Sequence, residues 1–299
     1  MTKKNNVKQS FSKAGDSPSK TVAMLIDLPL GYYYEMDPTD QKAYLDTMSD
    51  TIRTLRNNHI DILWITMQDQ NHLYAPQSNE SAADPYSLDK MKKMGLMGFG
   101  EQAGKDAAKN DRRIKHEQHS EQFLRQSGPL QNETVFSKFF MSGFISPEEY
   151  KDDPERYTQL RDQFRKDIDV VFPQEGDSLD AYLKSQNATN LLLMGAFANH
   201  CIAENALDAH RHDYNVTVLS DRVVGWDEDN DRLMVWRNKN YEPVIQNKIA
   251  ENIVEQGLEM DTPEISYQSF ASFAAGLEHP PPSPQPGTPQ NHTDFTKPA

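Results

Sequence analysis

Short apolar runs recur along this chain, and most are followed by a segment with helical spacing. Residues 21–27 read as a buried strand that ends on a carboxylate, Asp27. Residues 40–57 place Ala43, Leu45, Met48, Ile52 and Leu55 at the spacing of one helix face. Residues 60–66, 134–138, 190–194 and 215–220 read as further strands, with 264–267 as a short last one. Residues 179–185, 202–212 and 247–256 read as helices between and after them. A parallel neighbour needs a long crossover, normally a helix, so this alternation predicts an α/β fold. The expected architecture is a three-layer α/β/α sandwich, Rossmann-like, with a mostly parallel sheet covered on both faces. In such sheets the ligand site lies beyond the carboxyl ends of the strands. Asp27, Lys138 and Cys201 each fall at or just after such an end. That convergence groups them before any family is considered.

Only 36% of the residues are hydrophobic, which implies that insertions and tails dilute a normal core. The domain is expected over residues 21–276. It carries a polar insertion at about 75–131, with one or two amphipathic helices, and an acidic one at about 146–176, helical from about 154 to 169. Residues 1–20 hold five lysines and no apolar core, and read as a disordered tail without a signal peptide or anchor. Residues 277–299 read as a Pro-rich disordered tail, with six of the 18 prolines between 279 and 289. No apolar run approaches the roughly 18–20 residues that span a bilayer. The expectation is a soluble cytoplasmic protein without a membrane partner. A net charge of −14 argues against a nucleic-acid partner. A single cysteine excludes an intramolecular disulfide and any Cys-rich zinc site.

That cysteine, Cys201, follows an apolar strand and a tight loop and opens a helical stretch. The first N–H groups of a helix lack intrahelical partners and carry the positive end of its dipole. A thiolate, or an oxyanion formed beside it, is stabilised there. Most lone cysteines are nevertheless small buried hydrophobes. The dipole is also too weak to act alone. Lowering a thiol pKa from about 8.5 to about 6 needs about 3.4 kcal/mol, whereas a helix end supplies about 0.3–1, or up to about 2 when partly buried. Lys138 would add to it and Asp27 would offset it. The expectation is a compensated trio in which Asp27 takes the thiol proton during attack, not a standing thiolate.

Three segments together resemble the isochorismatase-like cysteine hydrolases, the family of nicotinamidases, pyrazinamidases, ureidoacrylate and N-carbamoylsarcosine amidohydrolases and isochorismatases. The first is the strand Ala23, Met24, Leu25, Ile26, Asp27. The second runs from Lys138 through Ser142 to Phe144, in the spacing K-x-x-x-S-x-F. The third runs from Leu191 through Gly195, Ala196, Phe197, Ala198, Asn199 and His200 to Cys201, and continues through Asn205, Asp208 and Ala209. The resemblance implies Cys201 as nucleophile, Asp27 as general acid/base and Lys138 as the group that orients and neutralises. It also implies an oxyanion hole from the backbone N–H groups of Cys201 and Phe197, with a cis peptide at Ala196–Phe197. The implied activity is hydrolysis of a non-peptide, amide-type C–N bond of a small molecule through a Cys201 thioester. No cofactor is implied, and a homo-oligomer stays open.

The chain departs from the family in two places. Pro29 stands two residues after Asp27, where a glutamine is common. The stretch from Gln68 to His72 lacks the spacing and second histidine of the metal-binding members, so no metal is expected. Two alternatives remain at this point: an inactive binding or scaffold protein on the same fold, and an isochorismate-type vinyl ether hydrolase.

Tyr32, Tyr33, Phe139, Phe140 and His200 are candidates for the substrate pocket, although many such rings serve ordinary packing. Trp64 reads as core. His116 and His119 read as part of a solvated charged face, and His210 and His212 suit the C-terminal end of a helix dipole. The acidic stretch from Trp226 to Asp231 reads as an exposed turn.

Overall fold

The structure is a computed structural model that describes residues 20–30, 36–67, 72–74, 85–94, 96–97, 107–138, 141–144, 179–227, 233–235 and 240–278. Its strands are β1 (Lys20–Ile26), β2 (Asp61–Met67), β3 (His72–Tyr74), β4 (Thr134–Lys138), β5 (Ala188–Ala196), β6 (Asn215–Asp227), β7 (Leu233–Val235) and β8 (Ser266–Gln268). They pair in the order β3-β4-β2-β1-β5-β6, and β6 pairs both β7 and β8. The run β4-β2-β1-β5-β6-β8 is parallel throughout. β3 and β7 are antiparallel additions to β4 and β6. The chain leaves β1 towards β2 and β4, then returns to place β5 on the other side of β1. The strand order therefore reverses between β1 and β5, which is where sheets of this kind form their binding crevice.

Side chains alternate across the sheet and separate two cores. Val22, Met24 and Ile26 pack with Leu191, Leu193, Val216 and Val218 under α4 (Leu179–Ser185), α5 (Ala203–Arg211) and α6 (Glu242–Glu255). Ala23 and Leu25 pack with Trp64, Val135, Leu192 and Met194 under α1 (Pro38–Asn57), α2 (Leu88–Lys93), α3 (Ala107–Ser127) and α7 (Phe270–Glu278). The result is the three-layer α/β/α arrangement expected. Among the described residues no helix is long and apolar enough to cross a membrane.

Some elements depart from expectation. β6 runs to Asp227, so Trp226 and Asp227 belong to a strand paired with β7, not to a turn. α7 lies beyond the expected helices and ends at Glu278, just inside the span expected to be the Pro-rich tail. The remainder of both tails, the helix expected at about 154–169 and residues 228–231 lie outside the described residues. The first insertion contributes α2 and α3, and α3 belongs to the core.

His116, Ser120, Phe123, Leu124 and Ser127 form one buried stripe on α3 and face α1. His116 is thus not on a solvated face. It is 0% exposed, and burial lowers its pKa to about 4, so it is neutral inside the protein. The base of this insertion is held by Glu133, which is almost fully buried. Its carboxylate accepts from Arg56 Nε at 2.7 Å, Arg56 Nη2 at 2.8 Å, Trp64 Nε1 at 2.9 Å and the Leu130 N–H at 3.1 Å. Removing one partner of a buried charge pair strands the other. Glu133→Ala is expected to lower stability by about 3–5 kcal/mol in a denaturant titration. A loss below about 1 kcal/mol would show that the cluster is not structurally important.

Candidate active site

β1 and β5 approach each other closely at the carboxyl edge of the sheet, and that approach depends on glycine. Gly195 lies opposite Ile26 with a φ of 122°. A Cβ there would sit 1.9 Å from the Ile26 carbonyl oxygen. Asp27 follows Ile26 with a φ of 42°, a left-handed conformation that costs a non-glycine residue free energy. Its N–H donates to the Ile65 carbonyl at 2.8 Å, which ties the strained residue to β2. After Gly195 the Ala196–Phe197 peptide is cis. A π-helical turn over Ala198–Ile202 then carries Cys201 and leads into α5. The Ile202 N–H reaches the Phe197 carbonyl at 3.0 Å and closes that wide turn. Cys201 therefore precedes the α-helix on a π turn, a feature frequent at functional sites.

Three titratable side chains meet at this edge. Lys138 Nζ lies 2.7 Å from Asp27 Oδ2 and donates to Cys201 Sγ at 3.2 Å. Lys138 is fully buried at the end of β4, in register with Met67 of β2. Burial opposes its charge, but the Asp27 carboxylate and the Cys201 sulfur outweigh burial and hold its pKa above the ordinary lysine value. Burial pushes the Cys201 thiol up to about 12; the Asp27 carboxylate adds to the push and the Lys138 ammonium opposes it. At neutral pH the Cys201 thiol is therefore neutral, and it lies beside the Asp27–Lys138 ion pair.

The turn after Lys138 closes over the sulfur. Met141 Sδ lies 3.7 Å from Cys201 Sγ, and Met141 itself is 46% exposed. Cys201 is 3% exposed. Ser142 Oγ accepts from the Phe144 N–H at 3.2 Å, and Phe144 stacks on His212 with ring centroids 5.4 Å apart. Ser142 and Phe144 thus shape and anchor the turn. Asn205, one helical turn beyond Cys201, is fully buried and bonds to the same turn. The sequence motif contained Asn205, but nothing in its residue type singled it out.

Of the sequence-derived candidates, Asp27, Lys138 and Cys201 come together, and Ala196 and Phe197 form the loop leading to the thiol. His200 is half-buried beside Phe197, with ring centroids 6.5 Å apart in an edge-to-face arrangement. Tyr32, Tyr33, Phe139 and Phe140 lie outside the described residues. Pro29, in place of the glutamine, gives its carbonyl to Gln41 Nε2 of α1 at 3.0 Å, and Gln41 also reaches Ser120 of α3. The insertion helix is therefore linked to the loop behind Asp27. Trp64 is core, as read. Among the described residues no group of three or more His, Cys, Asp or Glu is placed to hold a metal ion.

The family profile described as isochorismatase domain matches residues 24–247, three quarters of the chain. The chain belongs to the isochorismatase family. This family member also resembles distant solved structures. An isochorismatase-like hydrolase from Alkaliphilus metalliredigens is 14% identical with a TM-score of 0.43, over 86% of this chain and 99% of that one. A cysteine hydrolase from Pseudomonas syringae pv. phaseolicola is 13% identical with a TM-score of 0.42, over 91% and 99%. A pyrazinamidase of Pyrococcus horikoshii in complex with zinc is 11% identical with a TM-score of 0.38, over 84% and 99%. None of the curated proteins matches the chain.

The charge arrangement of this isochorismatase-family site makes opposite demands on its two charged residues. Asp27→Asn removes a charge that raises the thiol pKa, so Cys201 should ionise at lower pH and be alkylated faster by iodoacetamide at pH 8. Lys138→Met removes the charge that opposes that rise and should slow alkylation. Rates that move the other way would show that the two charges do not control the sulfur.

Proposed function

We propose that this chain is a cysteine hydrolase that cleaves a non-peptide, amide-type C–N bond of a small molecule through a Cys201 thioester. The observation that carries the reading is the buried Asp27–Lys138–Cys201 cluster at the strand-order reversal. With its pKa pushed up to about 12, the thiol is protonated at pH 7. A nucleophile in that state needs a base at the moment of attack. In this mechanism Sγ bonds to the substrate carbonyl carbon as Asp27 takes the thiol proton. Lys138 stays charged, holds both partners in place and offsets the anion. The backbone N–H groups of Cys201 and Phe197 receive the oxyanion. Collapse breaks the C–N bond, and Asp27 returns the proton to the leaving nitrogen. Water then cleaves the thioester and restores the thiol. Of the described residues, His200 would line the pocket.

One observation favours a second reading, a scaffold without activity: Cys201 is only 3% exposed. A screen over carboxamides, ureido and carbamoyl compounds, read by ammonia release, separates the two. The hydrolase reading expects turnover of at least one class, abolished in Cys201→Ala and reduced about 10²–10⁴-fold in Asp27→Asn. Ammonia release that survives Cys201→Ala, or none from any class, contradicts it. Survival in Cys201→Ala of vinyl ether cleavage would identify the isochorismate-type alternative.

A further inference from the structure

Asn205 makes three hydrogen bonds inside the protein, and all three bear on the sulfur. Its Nδ2 donates to the Met141 carbonyl at 3.0 Å and to the Cys201 carbonyl at 2.7 Å. Its Oδ1 accepts from the Gly143 N–H at 3.0 Å. One amide therefore fastens the turn after Lys138 to the segment that carries the nucleophile. The side chain is 0% exposed, so water cannot replace these bonds without opening the structure. The turn it fastens places Met141 Sδ 3.7 Å from Cys201 Sγ, while the rest of Met141 reaches solvent. Gly143 packs closely on the other side: a Cβ would lie 2.8 Å from Leu179 Cδ2 and 3.4 Å from Asn205 Oδ1. The turn is thus clamped from both sides.

We propose that Asn205 is a positioning residue that holds Met141 as an apolar cover over the Cys201 thiol. This rests on the cysteine-hydrolase reading and deepens it. The cover keeps the sulfur dry, and burial is the largest cause of its raised pKa. A dry thiol stays protonated until a substrate displaces the thioether and Asp27 takes the proton. Met is suited to that place, because its unbranched, polarizable side chain repacks readily around different apolar groups. Met141 would accordingly select substrates with an apolar flank beside the scissile carbonyl.

The test is the pH dependence of Cys201 alkylation by iodoacetamide in the full chain, followed by mass. Asn205→Ala and Met141→Ala should each wet the sulfur, lower its ionisation midpoint by about one unit or more and speed alkylation at pH 8 about ten-fold or more. Because Asn205 acts through Met141, the double variant should be no faster than the faster single one. Glu133→Ala, which loosens the fold elsewhere, should leave the midpoint in place. An unchanged midpoint in both single variants, or effects that multiply in the double one, would overturn the proposal. If Asn205→Ala does not fold, the exposed Met141→Ala still decides: unchanged alkylation refutes the cover. If Asp27→Asn also leaves the wild-type profile unchanged, it is the cysteine-hydrolase reading that fails. An Asp27-dependent profile that ignores Asn205 and Met141 refutes the positioning role alone.

Discussion

The Asp27–Lys138 ion pair sets the conditions for everything around Cys201. Two opposite charges sit 2.7 Å apart, with Lys138 fully buried and Asp27 nearly so. Either charge alone in that place would be strongly destabilising, because it would be left uncompensated in a poorly solvated interior. Together they hold three strand ends in register: β1 carries the carboxylate, β4 the ammonium, and β5 leads to the sulfur that the ammonium touches. The pair also explains the state of the thiol. The two charges act on it in opposite directions, so burial decides, and the thiol is held up near 12. The positive end of a helix cannot reverse a displacement of this size. In the proposed mechanism these three groups act as cation, base and nucleophile, and the thiol gives up its proton only when a substrate arrives.

The backbone has to accept strain for that contact to exist. Asp27 has a left-handed φ and is held by the Ile65 carbonyl, and β5 can come alongside Ile26 only because residue 195 has no Cβ. Strain of this kind persists where the surroundings over-determine it, and here the surroundings are the middle of a parallel sheet. The rigid core thus fixes one wall of the site, and the turn 141–144 closes it. Asn205 joins the two through its bonds to the Met141 and Cys201 carbonyls and to the Gly143 N–H.

The sequence made the sheet legible because its strands are continuous apolar runs, as strands buried on both faces must be. β4 and α4 fall where the residue pattern places them, and the three chemical residues could be grouped because parallel strands all end on one edge. α3 was harder to read. Its buried stripe contains His116, Ser120 and Ser127, so apolar periodicity alone does not show which face is inside. His116 departs from the expected solvated face for that reason, since burial of a neutral imidazole leaves no mark in composition. The end of β6 was hidden by its acidic residues. Asn205 illustrates a third limit: an asparagine on a helix becomes informative only when the turn it bonds to is in place.

In the proposed mechanism Cys201 rests as a neutral thiol whose proton Asp27 controls. A chain with one cysteine allows this to be observed directly: isotope-labelled cysteine gives a single Cβ resonance whose shift reports the protonation state. A thiol signal that does not move between about pH 6 and 9 is expected in the wild type, and a signal that moves towards thiolate over that range in Asp27→Asn. A thiolate signal in the wild type at neutral pH, or identical titrations in the two proteins, would contradict it.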